Sequence, residues 1–235
     1  MIDWHKFETQ LSASNLSVAS AAERIRHLIL LAIQAGDLPP GSRLKETELG
    51  AELHVSRTPL REALTALKAE QILETDDSGL RVRTLDWQDI SALYALRAKL
   101  EGMAALLAAA HASSSEKQII GQICADEVQL MAVGAAPSVL AVHNRRFHRA
   151  ILQAAGNKFL SESLQQLSRL MVLLGTTAYS LAERTDSIQK EHQYINQAIQ
   201  RGLPKEAEEA MQAHLDKALV ARLTLLSLTD TEELD

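Results

Sequence analysis

Apolar side chains recur along this chain at two spacings, and the change between them divides it. From Ala21, the run AAERIRHLILLAIQAG places Ile25, Leu28, Ile29 and Ile33 on one helical face, and Gly36 is a natural cap. The turn DLPPGSR follows, and LKETELGAEL makes a short second helix. A third helix runs from near Thr58 to about Gln71, with Leu60, Ala63, Leu64 and Leu67 as its inward stripe. In ILETDDSGLRVRTL the pattern changes to two short strand-like runs around Asp76-Asp77-Ser78-Gly79, which predicts a hairpin. Three short helices and a hairpin describe a winged helix-turn-helix over residues 19–85, preceded by residues 1–18 as a polar arm.

After Leu85 the strand signals stop. Six helical stretches are predicted, at 87–111, 115–132, 137–155, 158–181, 184–201 and 204–228, with Gly156, Asn157, Gly202 and Pro204 at their joints. The expected fold is therefore mainly α: an N-terminal winged helix-turn-helix followed by an all-α, six-helix bundle over 86–230. The boundary falls near Thr84–Trp87, with little linker.

Composition narrows the classes. With 235 residues and 46% hydrophobic positions the chain can bury a sizeable core. Its net charge of −6 argues against a general nucleic-acid coat but leaves room for a local basic surface. The lone Cys124 cannot form an internal disulfide, which points to a reducing compartment. No apolar run reaches membrane-spanning length, and MIDWHKFETQLSASNLS is no secretory signal. The expectation is a cytoplasmic protein with no membrane partner.

The stretch HVSRTPLREALTALKAE carries the first chemistry. Thr58 reads as an N-cap and Pro59 as the first helical residue, so Arg57 and Arg61 both project from the leading end of the third helix. The helix dipole disfavours cations there. An external anion resolves this, because free N–H groups and guanidinium groups at one helix tip suit phosphates and guanine edges. The alternative is two solvated arginines with Glu62 and Glu70 as neighbours. The second helix, the turn and the hairpin with Arg81 and Arg83 favour DNA. From 20 to 85 there are nine Lys or Arg against ten Asp or Glu, so a positive surface must come from arrangement.

The segment LPPGSRLKETELGAELHVSRTPLREALTALKAEQIL, with Gly79 in the wing, strongly resembles the GntR family of bacterial transcription regulators. The resemblance implies that Ser56, Arg57, Thr58 and Arg61 contact phosphates and bases of double-stranded operator DNA, and that Gly79 enters the minor groove. Some relatives carry an arginine where this chain has Thr47, so base preference at that position is open.

The second half carries three histidines on core-facing stripes. His148 follows Leu140, Asn144 and Phe147 on 137–155; His192 lies between Ile188 and Ile195; His214 lies between Met211 and Ala218. A single such histidine is usually a hydrogen-bonded core residue. Three on three helices are also satisfied by one shared metal ion, and imidazole donors favour transition metals. Arg97 shares a face with Leu93, Leu100 and Ala104; it either pairs with Glu101 one turn on or points inward to grip a carboxylate.

The segments LRAKLEGMAALLAAA, NRRFHRAILQAAGN, EHQYINQAI and AMQAHL resemble the all-helical FCD ligand-sensing domain of the FadR subfamily, and six helices suggest its VanR-like branch. That resemblance implies that His148, His192 and His214 ligate a divalent transition metal, zinc first, with nickel, cobalt and manganese as alternatives. Asn144 stands where metal-binding members have an Asp, which makes it a neutral, weaker ligand. Arg97 would bind a small carboxylate effector. The function these features imply is a ligand-responsive regulator, a repressor acting as a homodimer on a near-palindromic operator. The competing readings are a metal-dependent hydrolase or lyase using the three histidines, and a DNA-binding protein whose helical half only dimerises.

Overall fold

The computed structural model describes residues 2–13, 18–175 and 177–232. It forms two units, one of residues 1–86 with 168–176 and one of 87–167 with 177–235. The first unit holds α1 (Trp4–Ala13), α2 (Ala21–Ala35), α3 (Glu46–Glu52), α4 (Arg57–Ala69), β1 (Leu73–Asp76) and β2 (Gly79–Val82). Ser20 caps α2 by accepting the Glu23 N–H at 3.1 Å, and Gly36 closes it at φ +83°. Ile25, Leu28, Ile29 and Ile33 of α2 are buried with Leu60 and Leu67 of α4 and with Ile72 and Val82.

The polar-arm reading of residues 1–18 is corrected over the part described. Trp4, Phe7 and Leu11 recur at i, i+3 and i+7, and they bury one face of α1 in the core of this unit. Trp4 Nε1 donates to Glu52 Oε2 at 2.8 Å. Residues 14–17 lie outside the described residues.

The third helix starts earlier than the sequence predicts. Ser56 is its extended N-cap residue, and Arg57 is already helical. Pro59 then falls in the first turn, where backbone N–H groups lack intrahelical partners in any case. The hairpin pairs Leu73 with Val82 through Asp76 with Gly79. Asp76 accepts from Ser78 N at 2.8 Å, and Gly79 takes φ +112°, a conformation that L side chains rarely adopt. The loop before α3 adds an edge to this ribbon, with Leu44 N donating to Leu80 O at 2.8 Å and Val82 N to Ser42 O at 2.9 Å.

The second unit consists of α5 (Trp87–His111), α6 (Ser114–Ala132), α7 (Pro137–Ala154), α9 (Ala182–Arg201), α10 (Pro204–Glu232) and most of α8 (Lys158–Leu170). Its core is rich in alanine, with Ala98, Ala104, Ala105, Ala108 and Ala109 of α5 facing inward. Small residues let α5 and α10 approach closely. At Gly102 a Cβ would lie 2.9 Å from the Gln212 side chain, so that position has no room for one.

The helix predicted over 158–181 is not continuous. It ends at Leu170, and two 3₁₀ turns follow at Met171–Leu174 and Ala178–Ser180. The apolar run LMVLL has no helical stripe, and Leu173 is buried in the core of the first unit instead. Gly175 (φ +64°, ψ −125°) supplies the bend, in a region open to glycine.

Among the helix starts, α6 has the fullest cap. Ser113 Oγ accepts the Glu116 N–H at 3.3 Å and Glu116 Oε2 accepts the Ser113 N–H at 2.8 Å. Ser113→Ala is expected to lower stability by about 1 kcal/mol, read as a lower urea midpoint with an unchanged slope.

Candidate functional site

Two sites emerge, one in each unit. In the first, Ser56, Arg57 and Thr58 are exposed at the start of α4, and the Ser56 side chain makes no capping bond. Arg57 has no carboxylate partner among the described residues, which leaves a free cation at the helix tip. Arg61 is also exposed but its Nε donates to Glu46 Oε2 of α3 at 2.8 Å. An exposed pair of this kind is worth little in water, so a phosphate can displace the carboxylate. Gly79 sits at the turn of the wing. The basic wing residue Arg81 is tied to Glu74 at 2.7 Å and Asp76 at 3.0 Å.

In the second unit α7, α9 and α10 bring His148, His192 and His214 together. One ligating nitrogen from each lies within 4.8 Å of the other two. His192 is fully buried and stacks on Phe147 at 4.2 Å between ring centroids. Asn144 stands one turn before His148 on α7 and is half-buried.

Three glutamates that the sequence reading did not assign to this site complete it. Glu101 of α5 accepts from His148 Nδ1. Glu127 of α6 accepts from His192 Nδ1 at 2.9 Å, and Glu191 of α9 from His214 Nδ1 at 2.7 Å. Every Nδ1 is thus committed to a carboxylate, which orients the ring and leaves Nε2 as its free nitrogen. His192 Nε2 is buried and has no hydrogen-bond partner.

Each carboxylate has a second donor. Arg97 Nε and Nη2 donate to Glu101 at 2.9 and 2.8 Å, Tyr179 Oη donates to Glu127 Oε1 at 3.0 Å, and Arg184 makes a bidentate pair with Glu191 at 2.8 Å for both bonds. Lys217 Nζ adds a contact to Glu191 at 3.2 Å. The Arg97 guanidinium makes the pair with Glu101 one turn on along α5, the intrahelical partner that the sequence offered.

Burial favours the neutral form of Glu101, Glu127, Glu191, His192 and His214. For Glu101 that push is outweighed by Arg97 and His148, which hold its carboxyl well below the usual range; for Glu127 it is outweighed by His192 and Tyr179, which lower its carboxyl. His214 and Arg184 bring Glu191 to about 2. For the rings, burial prevails over the attraction of the carboxylates, lowering His192 and taking His214 down to about 3. At neutral pH both rings are therefore uncharged beside ionised carboxylates. This is the protonation state that a metal needs from imidazole.

The chemistry of the donor set fits a divalent transition metal: three imidazoles with free Nε2 atoms, one of them orphaned in the interior. The signal for the glutamates was present in the sequence. Glu127 continues the stripe of Ile120, Ile123 and Cys124, and Glu101 lies among the buried alanines of α5. A carboxylate on a core-facing stripe needs a partner as much as a histidine does. His143, to which the sequence assigned no role, is a core histidine whose Nε2 lies 2.8 Å from Ile123 O.

A chain that joins a winged helix-turn-helix to an all-helical unit with a buried histidine cluster has the make-up of a DNA-binding regulator with a sensory domain. The profile described as "Bacterial regulatory proteins, gntR family" matches residues 21–80, and that of the FCD domain matches 92–217. The chain belongs to the GntR family and carries an FCD domain, and it is a transcription regulator, not an enzyme. FCD domains in this family can bind metals. The probable D-xylose utilization operon transcriptional repressor of Paenarthrobacter nicotinovorans is 30% identical over 212 residues, 89% of this chain and 92% of that protein. The Glc operon transcriptional activator of Escherichia coli is 31% identical over 218 residues, 83% and 84% of the two chains. The E. coli McbR/YncC structure has the same fold, with a TM-score of 0.70 at 20% identity over 88% of this chain and 99% of that one. No helix among the described residues is long and apolar enough to cross a membrane.

The protonation states set a pH dependence for the metal-free protein. Imidazoles of the unfolded chain titrate near 6.5, while the fold keeps His192 lower and His214 at about 3. Below that pH the unfolded chain takes up protons that the fold refuses. Stability present above pH 6.5 is therefore lost as pH falls toward 3, by at most about 1.4 kcal/mol per pH unit for each ring. Urea unfolding of chelator-treated protein at about pH 7.5 and about pH 5 is expected to show a lower midpoint at the acidic pH. An unchanged midpoint would mean that the two rings take up protons in the fold as readily as in the unfolded chain.

Proposed function

We propose that this regulator acts as a homodimeric repressor that senses a small organic acid through a metal ion held by His148, His192 and His214. The observation that carries the metal is the set of three Nδ1–carboxylate pairs, which turns three Nε2 lone pairs into the unused ligands of one buried cluster. Zinc is the first choice, on availability and its affinity for imidazole. Asn144 would contribute a neutral oxygen or orient a neighbour. Once bound, the ion supplies a Lewis-acidic position for the effector.

Charge selects the effector class. Glu101, Glu127 and Glu191 are set against Arg97, Arg184 and Lys217, three charges of each sign. A divalent ion then brings positive charge that the protein does not cancel, so an anionic ligand such as a carboxylate is favoured over a neutral one. Arg97 serves in this scheme by holding Glu101.

Regulators of this family bind operator DNA and generally act as dimers. Here the DNA surface would be the start of α4, with Ser56, Arg57, Thr58 and Arg61, and the wing turn at Gly79. Repression is supported by the P. nicotinovorans relative, a probable repressor whose similarity extends over most of the chain; the E. coli relative is named an activator.

Arg61→Ala is expected to weaken binding to an operator selected from random duplexes by roughly 1–3 kcal/mol at fixed salt, leaving the melting curve unchanged; an unaltered gel-shift affinity would remove Arg61 from the interface. Metal analysis after zinc loading and desalting is expected to give one ion per chain, and none in a His148→Ala/His214→Ala variant. Wild-type protein that retains no ion would refute the metal site. Transcription from a reporter joined to that operator then reads the sign of regulation.

A further inference from the structure

The three carboxylates behind the histidines are not held alike. Glu101 and Glu191 have guanidinium partners on helices, Arg97 on α5 and Arg184 on α9. Glu127, only 2% exposed, shares its oxygens between His192 Nδ1 at 2.9 and 3.1 Å and the Tyr179 hydroxyl at 3.0 Å. Tyr179 sits on the 3₁₀ turn Ala178–Ser180, not on a helix of the bundle. Its ring is buried with Leu140 and Ile188.

That turn lies next in the chain to Ser168–Thr176, which folds with the DNA-binding unit. Within that unit Leu173 is buried in the core formed by α1, α2 and α4. Arg169 Nη1 lies 3.8 Å from Glu70, the residue that closes α4, and Glu70 is itself clamped by Arg26 with two bonds of 2.9 Å. The segment is thus fastened to the helix that carries Arg57 and Arg61, and its continuation is fastened to the carboxylate behind His192.

We propose that Tyr179 is a positioning residue that couples occupancy of His192 to the DNA-binding unit through Ser168–Thr176; this rests on the three-histidine metal reading. A cation on Nε2 makes the Nδ1–H of the same ring a stronger donor, so Glu127 is drawn onto His192 and fixed. Glu127 fixes the phenol, the phenol fixes the turn, and the turn restrains the segment that follows α8. Glu101 and Glu191 brace their histidines from inside the helical framework and carry no such extension.

The test uses full-length protein with Co(II), whose visible absorption reports its binding, and hydrogen exchange as the readout of residues 168–181. In the wild type Co(II) is expected to slow exchange severalfold in peptides from both 168–175 and 177–181. In Tyr179→Phe, which removes one oxygen, Co(II) still binds within roughly tenfold of the wild-type affinity, but the slowing at 168–175 is lost. A wild type that does not bind Co(II) would refute the metal reading and this proposal with it. Co(II) binding that leaves exchange at 168–175 unchanged in the wild type would overturn the coupling alone, and that arm decides even if Tyr179→Phe does not fold. Equal slowing in a folded Tyr179→Phe would likewise overturn it.

Discussion

Three imidazoles and three carboxylates are buried or nearly buried in a bundle otherwise lined by alanine, leucine and isoleucine, and this fixes how its helices must sit. An unpaired charge in such an interior costs several kcal/mol, so every carboxylate needs two donors in place at once. Glu101 draws on α5 and α7, Glu127 on α9 and the turn at Tyr179, and Glu191 on α9 and α10. A slip of any one helix along its axis would leave a charge or a ring nitrogen unmatched. The small residues of α5 serve the same end, since the close approach at Gly102 brings α10, and with it His214, near α5.

In the DNA-binding unit the comparable constraint is apolar. Its three short helices and a two-stranded ribbon have little interior of their own, and two additions enlarge it. α1 contributes Trp4, Phe7 and Leu11, and the segment after α8 contributes Leu173. The second addition crosses the division of the chain: a stretch that follows four helices of the sensory unit in sequence contributes to the core that α4 packs on. The chain therefore passes between the units at three places in sequence, not one.

The family assignment and the side-chain geometry answer different questions. The GntR and FCD matches establish a transcription regulator with a sensory helical domain. They do not say what orients the histidines of this chain. The three Nδ1–carboxylate bonds do, and they set negative charge around the cluster, one bond out from the rings.

Much of this was legible in the sequence because it depends on local chemistry. Helical periodicity marked α2, α5, α7, α9 and α10, Gly36 and Gly202 marked ends, the Asp-Asp-Ser-Gly turn marked the wing, and the stripes put each of His148, His192 and His214 on an inward face. The N-terminal helix and the Ser113–Glu116 cap carried equally local signals, in the i, i+3, i+7 spacing of Trp4, Phe7 and Leu11 and in the S-x-x-E motif, and they were passed over. Long-range partnership was decided only by tertiary structure. Which of 30 acidic residues stands behind which histidine, whether Arg97 faces a ligand or Glu101, and why the helix after Lys158 stops at Leu170 so that Leu173 can enter another core all depend on residues tens of positions apart. Periodicity assigns a side chain to a face; the folded chain alone brings that face to its partner.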